Sequence, residues 1–328
     1  MSDARATDTV AERTSGPRGH VASHLCGEFL ELGTVGYQVI RNAVEHPSAL
    51  RDGIERDLRA CYDKYAVPDR RLLQQYGAGQ WESVWAARIA TLAVWRRLYE
   101  TDDLISSWDG LSVVDAREQT RCAAALNVHG EPDWIHRDQR LSNESLADTI
   151  QGYLALSDAD ASEYSTIFYA PKCGTAQQLI DEYHAEFCWA TNRYGRSIRK
   201  IVNDDVDHHT FSESELRWFR ERCELHKPCL RAGDLLLWCS AMPHAAAPSR
   251  ACGNDARPRL GTFVAMLPKR FANALILSTR REMARTGLTS SHNVLSPVLF
   301  PFSMRNETKN CDTSYSQSVA FTRRRLIG

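Results

Sequence analysis

From about residue 120 onward the chain carries short apolar runs, "CAAALNV", "IQGYLAL", "STIFYA", "DLLLW" and "LGTFVAML", each bounded by turn-forming residues. Runs of this length suit buried strands and are short for buried helices. The connections between several of them are too irregular for repeated strand, helix, strand crossovers, which argues against a parallel sheet. The expected fold is therefore mainly β with surrounding helices, its core an antiparallel sandwich or jelly roll. One helical interruption is expected at "SESELRWFRERC", where Ser212 is placed to cap the helix and Glu215, three residues on, completes a capping box.

Ahead of this region "GYQVIRNAV" reads as a strand ending in a turn, and "SALRDGIERDLRACYDKY" as a helix with a serine at its start. In "ESVWAARIATLAVWRRLY", Trp85, Ile89, Leu92, Trp95 and Tyr99 recur at steps of three and four, so they share one helical face that packs on the core. Gly77 and Gly79 precede it without the lysine of a phosphate loop. Residues 1–22 are polar and charged, with too little apolar surface to offset the entropy of ordering them. After residue 304 periodicity fades, and the chain runs out through Arg323, Arg324 and Arg325. The organisation expected is a tail over 1–22, one domain over 23–303 with an N-terminal helical region, and a solvated tail over 304–328.

Composition narrows the function classes. With 43% apolar residues, 25% charged residues and a formal net charge of -1, the chain has no overall field to draw nucleic acid or an anionic membrane. No window approaches the roughly 18 consecutive apolar residues of a membrane span, and the start lacks the apolar stretch of a secretory signal. An intracellular, cytoplasmic protein is expected, with a small molecule as its partner and the oligomeric state left open. The ten cysteines have no framework spacing and read as reduced thiols. Cys223, His226 and Cys229 lack a fourth zinc partner and read as a solvated loop.

Against this background "WIHRDQ" stands out. His136 and Asp138 are separated by one residue, so in extended chain both side chains point the same way and can reach one ion. The pair alone is a weak signal. His244 is the best third ligand, because "GDLLLWCSAMPHAAAP" reads as a turn, a buried strand and then a histidine, and in a jelly roll a late strand returns beside an early one. Two imidazoles and one carboxylate form the facial set typical of non-haem iron(II) with open positions, whereas zinc more often takes a closed site or a third histidine. An acidic co-substrate on such an ion calls for an arginine, whose planar fork bonds both carboxylate oxygens. Arg259 opens "LGTFVAML" fifteen residues beyond His244 and is preferred over Arg257 and Arg250, which belong to the intervening loop.

With these stretches in order, the chain resembles the phytanoyl-CoA dioxygenase family of iron(II)- and 2-oxoglutarate-dependent oxygenases. The matching segments are "GYQVIRNAV", "WIHRDQ" followed by "IQGYLAL", "GDLLLWCSAMPH" and "RPRLGTFVAMLP", together covering most of residues 30 to 270. The resemblance implies a double-stranded β-helix, with His136, Asp138 and His244 as iron ligands and Arg259 on the distal carboxylate of 2-oxoglutarate. It further implies hydroxylation of a small organic substrate by O2, with release of succinate and CO2. The chain departs from the family at Glu163, Tyr164 and "PKCG" (171–174), and has Ala246 where a polar residue often supports the co-substrate. Those departures motivate a second reading, a jelly-roll metal- or ligand-binding protein without turnover, and a third, another metal-dependent activity on the same scaffold.

Several residues near the motifs are ambiguous. Gln139 and Gln151 could touch a bound acid or satisfy neighbouring backbone. Asn127 and Tyr153 face either the site or the opposite layer, depending on one residue of register. Trp134 and Trp238 read as packing around the ligand segments. His208 and His209 sit in an acidic connection with no assignable metal partners, His129 reads as solvated and His292 as structural.

Overall fold

The computed structural model describes residues 27–64, 72–114, 127, 129, 131–132, 134–160, 164–191, 193–200, 208–247, 258–295 and 316–328. The run "CAAALNV" apart from Asn127, together with Glu163, Arg250 and Arg257, lies outside the described residues. In chain order, a short helix α1 (Leu30–Thr34) leads to β1 (Tyr37–Ile40) and α2 (Pro47–Lys64), then β2 (Leu72–Leu73), α3 (Glu82–Ala90), α4 (Leu92–Tyr99), β3 (Leu104–Ser106) and β4 (Leu111–Val114). Next come β5 (His136–Arg137), β6 (Ile150–Ala155), β7 (Ser165–Pro171), α5 (Ala176–Phe187), a hairpin of β8 (Trp189–Thr191) and β9 (Ser197–Arg199), β10 (His209–Thr210) and α6 (Glu213–Arg222). The last third holds β11 (Cys223–His226), β12 (Leu235–Cys239), β13 (His244–Ala247), β14 (Arg259–Pro268), α7 (Ala274–Arg285) and α8 (Gln317–Ile327).

Two antiparallel sheets carry the fold. One has the order β1, β12, β6, β14, β4, β2, with β3 also pairing β14, and the other has the order β10, β5, β13, β7, β11. The runs β4 to β7 and β11 to β14 each alternate between the sheets and interleave, so β6 lies between β12 and β14 while β13 lies between β5 and β7. Late strands thereby return beside early ones. The runs "DLLLW" and "IQGYLAL" are continuous apolar stretches because both faces of their sheet are covered: Leu235, Leu236 and Leu237 are all fully buried on β12. Each such leucine contributes roughly 1.5–3 kcal/mol by leaving water. Between the sheets sits an aromatic cluster of Tyr153, Phe168 and Trp238, with Tyr37 and Phe263 packed against it.

Three expectations need correction. The stripe over 82–99 is not one helix: α3 ends at Ala90 and α4 starts at Leu92, the intervening Thr91 having φ -84° and ψ -4°. The Thr91 hydroxyl donates to the Arg88 carbonyl at 2.8 Å and accepts from Trp95 Nε1 at 3.1 Å, so a side chain competes with the helical ladder there. Trp85, Trp95 and Tyr99 still face the core. Cys223 to His226 is a strand and not a solvated loop, because it pairs with β7 from Phe168 to Pro171 and buries Cys223, while Cys229 is exposed. The chain end is not a solvated tail throughout, since α8 packs on α3 and β3 and buries Leu326 and Ile327. There Arg280 of α7, buried in full, donates to the carbonyls of Leu326, Ile327, Val294 and Ser106.

Candidate metal centre

Strand pairing places two histidines face to face. On β5, His136 lies directly opposite His244 of β13 and, on its other side, opposite Thr210 of β10. Directly opposed residues of an antiparallel pair hold their Cβ atoms about 4.5–5.5 Å apart, so both imidazoles reach one point. Two residues on, Asp138 joins them: its N–H donates to the Ser240 carbonyl at 3.0 Å, tying it to the turn that leads from β12 to His244. Asp138 Oδ1 is 3.4 Å from His136 Nε2, and Oδ2 is 3.3 Å from His244 Nε2. One ligand atom from each of the three falls within 4.8 Å of the others.

The tautomers follow from the other ring nitrogens. His136 Nδ1 lies 3.0 Å from the Trp134 carbonyl and His244 Nδ1 lies 2.9 Å from the Met242 carbonyl. A carbonyl only accepts, so both Nδ1 atoms carry hydrogen and both neutral rings aim an Nε2 lone pair at the carboxylate. Two lone pairs and a buried anion repel one another unless a positive charge lies among them. The two rings respond in opposite senses. Burial opposes charge on both rings, yet Asp138 raises His136, while burial and the neighbouring His136 lower His244. Burial also opposes ionisation of Asp138, but His292 and His136 outweigh it and hold the carboxyl well below the usual carboxylate range. This donor set fits a divalent cation of the two-histidine, one-carboxylate kind, with main-chain carbonyls orienting the imidazoles.

Neighbouring groups fix the carboxylate. Gln151 Nε2 donates to Asp138 Oδ2 at 3.1 Å, and His292 Nε2 donates to the Asp138 carbonyl at 3.1 Å, with its Nδ1 4.0 Å from Oδ2. Gln139 points elsewhere: its amide group donates to Asn143 and Ser145 carbonyls while its oxygen accepts from Asp148 N–H and the Ser240 hydroxyl, which organises the loop before β6. The segment entering β5 is held by buried Glu131, which accepts from Tyr169 and from Arg220 of α6. Trp134 is 42% exposed and stacks on His136 at 4.5 Å between ring centroids, so it is not simply core packing. His129 is exposed, and His209 lies 3.0 Å from Glu215.

Arg259, the first residue of β14, is only 5% exposed. Its Nε donates to Tyr153 Oη at 3.0 Å and its Nη2 to Thr166 Oγ1 at 3.3 Å, while the guanidinium lies over the Tyr153 ring at 4.3 Å. Tyr153 therefore faces inward, which alternation alone left open. Thr166 pairs with Ala246 across β7 and β13, one pleat along from the Phe168 and His244 pair. Arg259 thus spans the two sheets to a point roughly 7 Å along β13 from His244. Among the described residues no carboxylate pairs with it, and a buried guanidinium without a counter-ion is costly unless an anion arrives. Gly261 makes room, since a Cβ there would overlap the Tyr153 ring. Sequence reasoning did not single out Thr166, and it marked Tyr164, whose ring lies 5.3 Å from the same guanidinium, only as a departure from the family pattern. Only the alternation of "STIFYA", which puts Thr166 and Phe168 on one face, hinted at the former.

Comparison with known proteins adds a fold-level frame. No family model matches the chain. The Ava biosynthesis cluster protein O of Aspergillus versicolor is 27% identical over 220 residues, covering 66% of this chain and 64% of that protein, so the chain spans less than two thirds of the curated relative's length. Among solved structures, a Salmonella typhimurium LT2 protein designated an oxidoreductase aligns with a TM-score of 0.54 at 13% identity, covering 95% of this chain and 85% of that one. The product of GlcNAc Inducible Gene 2 (DUF1479) from Candida albicans aligns with a TM-score of 0.52 at 10% identity, covering 90% and 78%. At such identities the likeness is one of fold.

Proposed function

We propose that the chain is an iron(II)- and 2-oxoglutarate-dependent dioxygenase that hydroxylates a small organic substrate, built as a double-stranded β-helix within residues 23–303. The observation that carries this reading is the convergence of His136 Nε2, His244 Nε2 and one Asp138 oxygen, with both Nδ1 atoms turned away to main-chain carbonyls. The interleaving of β4 to β7 with β11 to β14 supports the double-stranded β-helix. Iron(II) bound there supplies the redox chemistry that couples O2 and 2-oxoglutarate to succinate, CO2 and a hydroxylated product.

The chain's own residues then have assigned tasks. His136, Asp138 and His244 hold the ion on one side and leave the other for ligands. Arg259, aligned by Tyr153 and Thr166, receives the distal carboxylate of 2-oxoglutarate in a site shielded from water, where the charge pair is strong. Thr166 supplies, from the paired strand, the hydroxyl that Ala246 lacks. That supports a working co-substrate site over the reading without turnover. The name of the Aspergillus relative, a biosynthesis cluster protein, favours a small organic substrate.

The test is anaerobic loading with iron(II), then addition of 2-oxoglutarate and O2 and measurement of succinate. Slow turnover without a prime substrate is expected, and its loss in His136→Ala and Asp138→Ala. Arg259→Ala is expected to weaken 2-oxoglutarate binding while sparing the metal; unchanged binding would move the anchor to Arg257 or Arg250. A protein that binds iron and neither binds nor consumes 2-oxoglutarate would be a metal-binding module.

A further inference from the structure

The indole N–H of Trp238 is buried, and it meets no acceptor among the described residues. Trp238 lies on β12 directly opposite Gln151 of β6, so the two side chains emerge on the same face of their sheet. That face is the one turned to the second sheet: the Trp238 ring lies 5.5 Å from the His244 ring and 6.1 Å from the Phe168 ring, and Gln151 reaches Asp138. A tryptophan in such a place usually finds a partner for its N–H, because an unsatisfied buried donor keeps its full desolvation cost. Phenylalanine would pack there without that cost, and the neighbouring cluster is built from Phe168 and Phe263 among others. The orphaned donor therefore calls for an acceptor that arrives with a ligand, on the face where Trp238 lies beside His244 and Gln151.

We propose that Trp238 is a positioning residue whose N–H donates to an oxygen of the keto-acid end of the bound co-substrate, beside the metal and at the opposite end from Arg259. This rests on the 2-oxoglutarate reading above. The ligand chemistry required is a carbonyl or carboxylate oxygen held next to His244, and a keto acid presents both in adjacent positions. Arg259 with Thr166 fixes one end of the acid from β14 and β7, and Trp238 would fix the other from β12, so its rotation about the metal would be stopped by a neutral donor that adds no charge to the site. Trp238 contacts the reactant's orientation and takes no part in proton transfer, since an indole only donates.

The experiment uses the full chain loaded with zinc, so that binding is read without turnover. In wild type, binding of 2-oxoglutarate and of butyrate is measured by calorimetry, and then repeated in Trp238→Phe. Expected is an unchanged zinc affinity, a loss of about 10- to 100-fold in 2-oxoglutarate affinity, as for a hydrogen bond to a charged group, and a smaller loss for butyrate, which keeps a single carboxylate for Arg259 and has no keto-acid end. An unchanged 2-oxoglutarate affinity in the variant would overturn the proposal, as would equal losses for both acids, which would mean that the pocket had merely changed shape. Absence of 2-oxoglutarate binding in wild type would instead sink the functional reading, and is seen before any variant is made. Should Trp238→Phe not fold, wild type labelled with indole nitrogen-15 gives the answer. One of the eight tryptophan N–H signals should move downfield and become protected from exchange when 2-oxoglutarate is added; no such signal would end the proposal.

Discussion

His136 and His244 are oriented by main-chain carbonyls two residues before each of them, a local arrangement that the sequence spacing already permits. Asp138 is different, because its orientation comes from Gln151 on another strand. Replacing Gln151 by Leu removes that donor with little change of volume, and zinc or manganese affinity by calorimetry is expected to fall by about 10- to 100-fold, the range for groups that orient a metal ligand. Gly261 shows a second kind of dependence. A methyl group there would collide with Tyr153 and with the Leu154 carbonyl, so Gly261→Ala is expected to cost on the order of 1–3 kcal/mol in denaturant unfolding and also to weaken 2-oxoglutarate binding by displacing the tyrosine that aligns Arg259. A variant of wild-type stability would show that the strands part easily at this point.

At the scale of elements, the best-read piece of the sequence is α6. Ser212 and Glu215 form the capping box that their spacing predicted, the Ser212 hydroxyl accepting from the Glu215 N–H and the Glu215 carboxylate accepting from the Ser212 N–H. Capping is legible because it is settled within four residues. The break at Thr91 and the packing of α8 were not legible, since one depends on a hydroxyl competing for a carbonyl and the other on what waits to receive Leu326 and Ile327. Arg280 is what waits. Burial pulls its pKa down to about 9, and its donors bridge α7, α8, β3 and the residue Val294. Arg280→Met is expected to leave these carbonyls unmet, to cost on the order of 1–3 kcal/mol, and to speed amide hydrogen exchange in α8. Unchanged exchange there would mean that α8 is held by its apolar contacts alone.

For the whole molecule, acid stability should reflect buried carboxylates outside the metal cluster. Burial alone would raise Glu215, but hydrogen bonds from His209, Ser212 and Tyr183 outweigh it and bring the carboxyl down to about 2. A carboxylate depressed on folding stabilises the protein at pH values above its unfolded pKa, and this contribution is lost as pH falls from about 4.5 through about 2. Over that window Glu215→Gln is expected to flatten the pH dependence of unfolding by on the order of 1–3 kcal/mol. A variant with the wild-type acid profile would assign the loss to other groups. No helix among the described residues is long and apolar enough to cross a membrane.

The sequence by itself determined the strand-rich class, the capping of α6, and the pairing of His136 with Asp138, because each of these is set by periodicity or by contacts a few residues apart. His244 and Arg259 were expected at the same place only by way of the fold, a late strand returning beside an early one, and of the family resemblance, since no local spacing joins them to His136. Their meeting was decided by tertiary structure: the β5 and β13 register puts His244 opposite His136, and the inward face of β6 brings Tyr153 under Arg259. Strand register is a collective property of two packed sheets, and a slip of one residue would turn every one of these side chains to the other face.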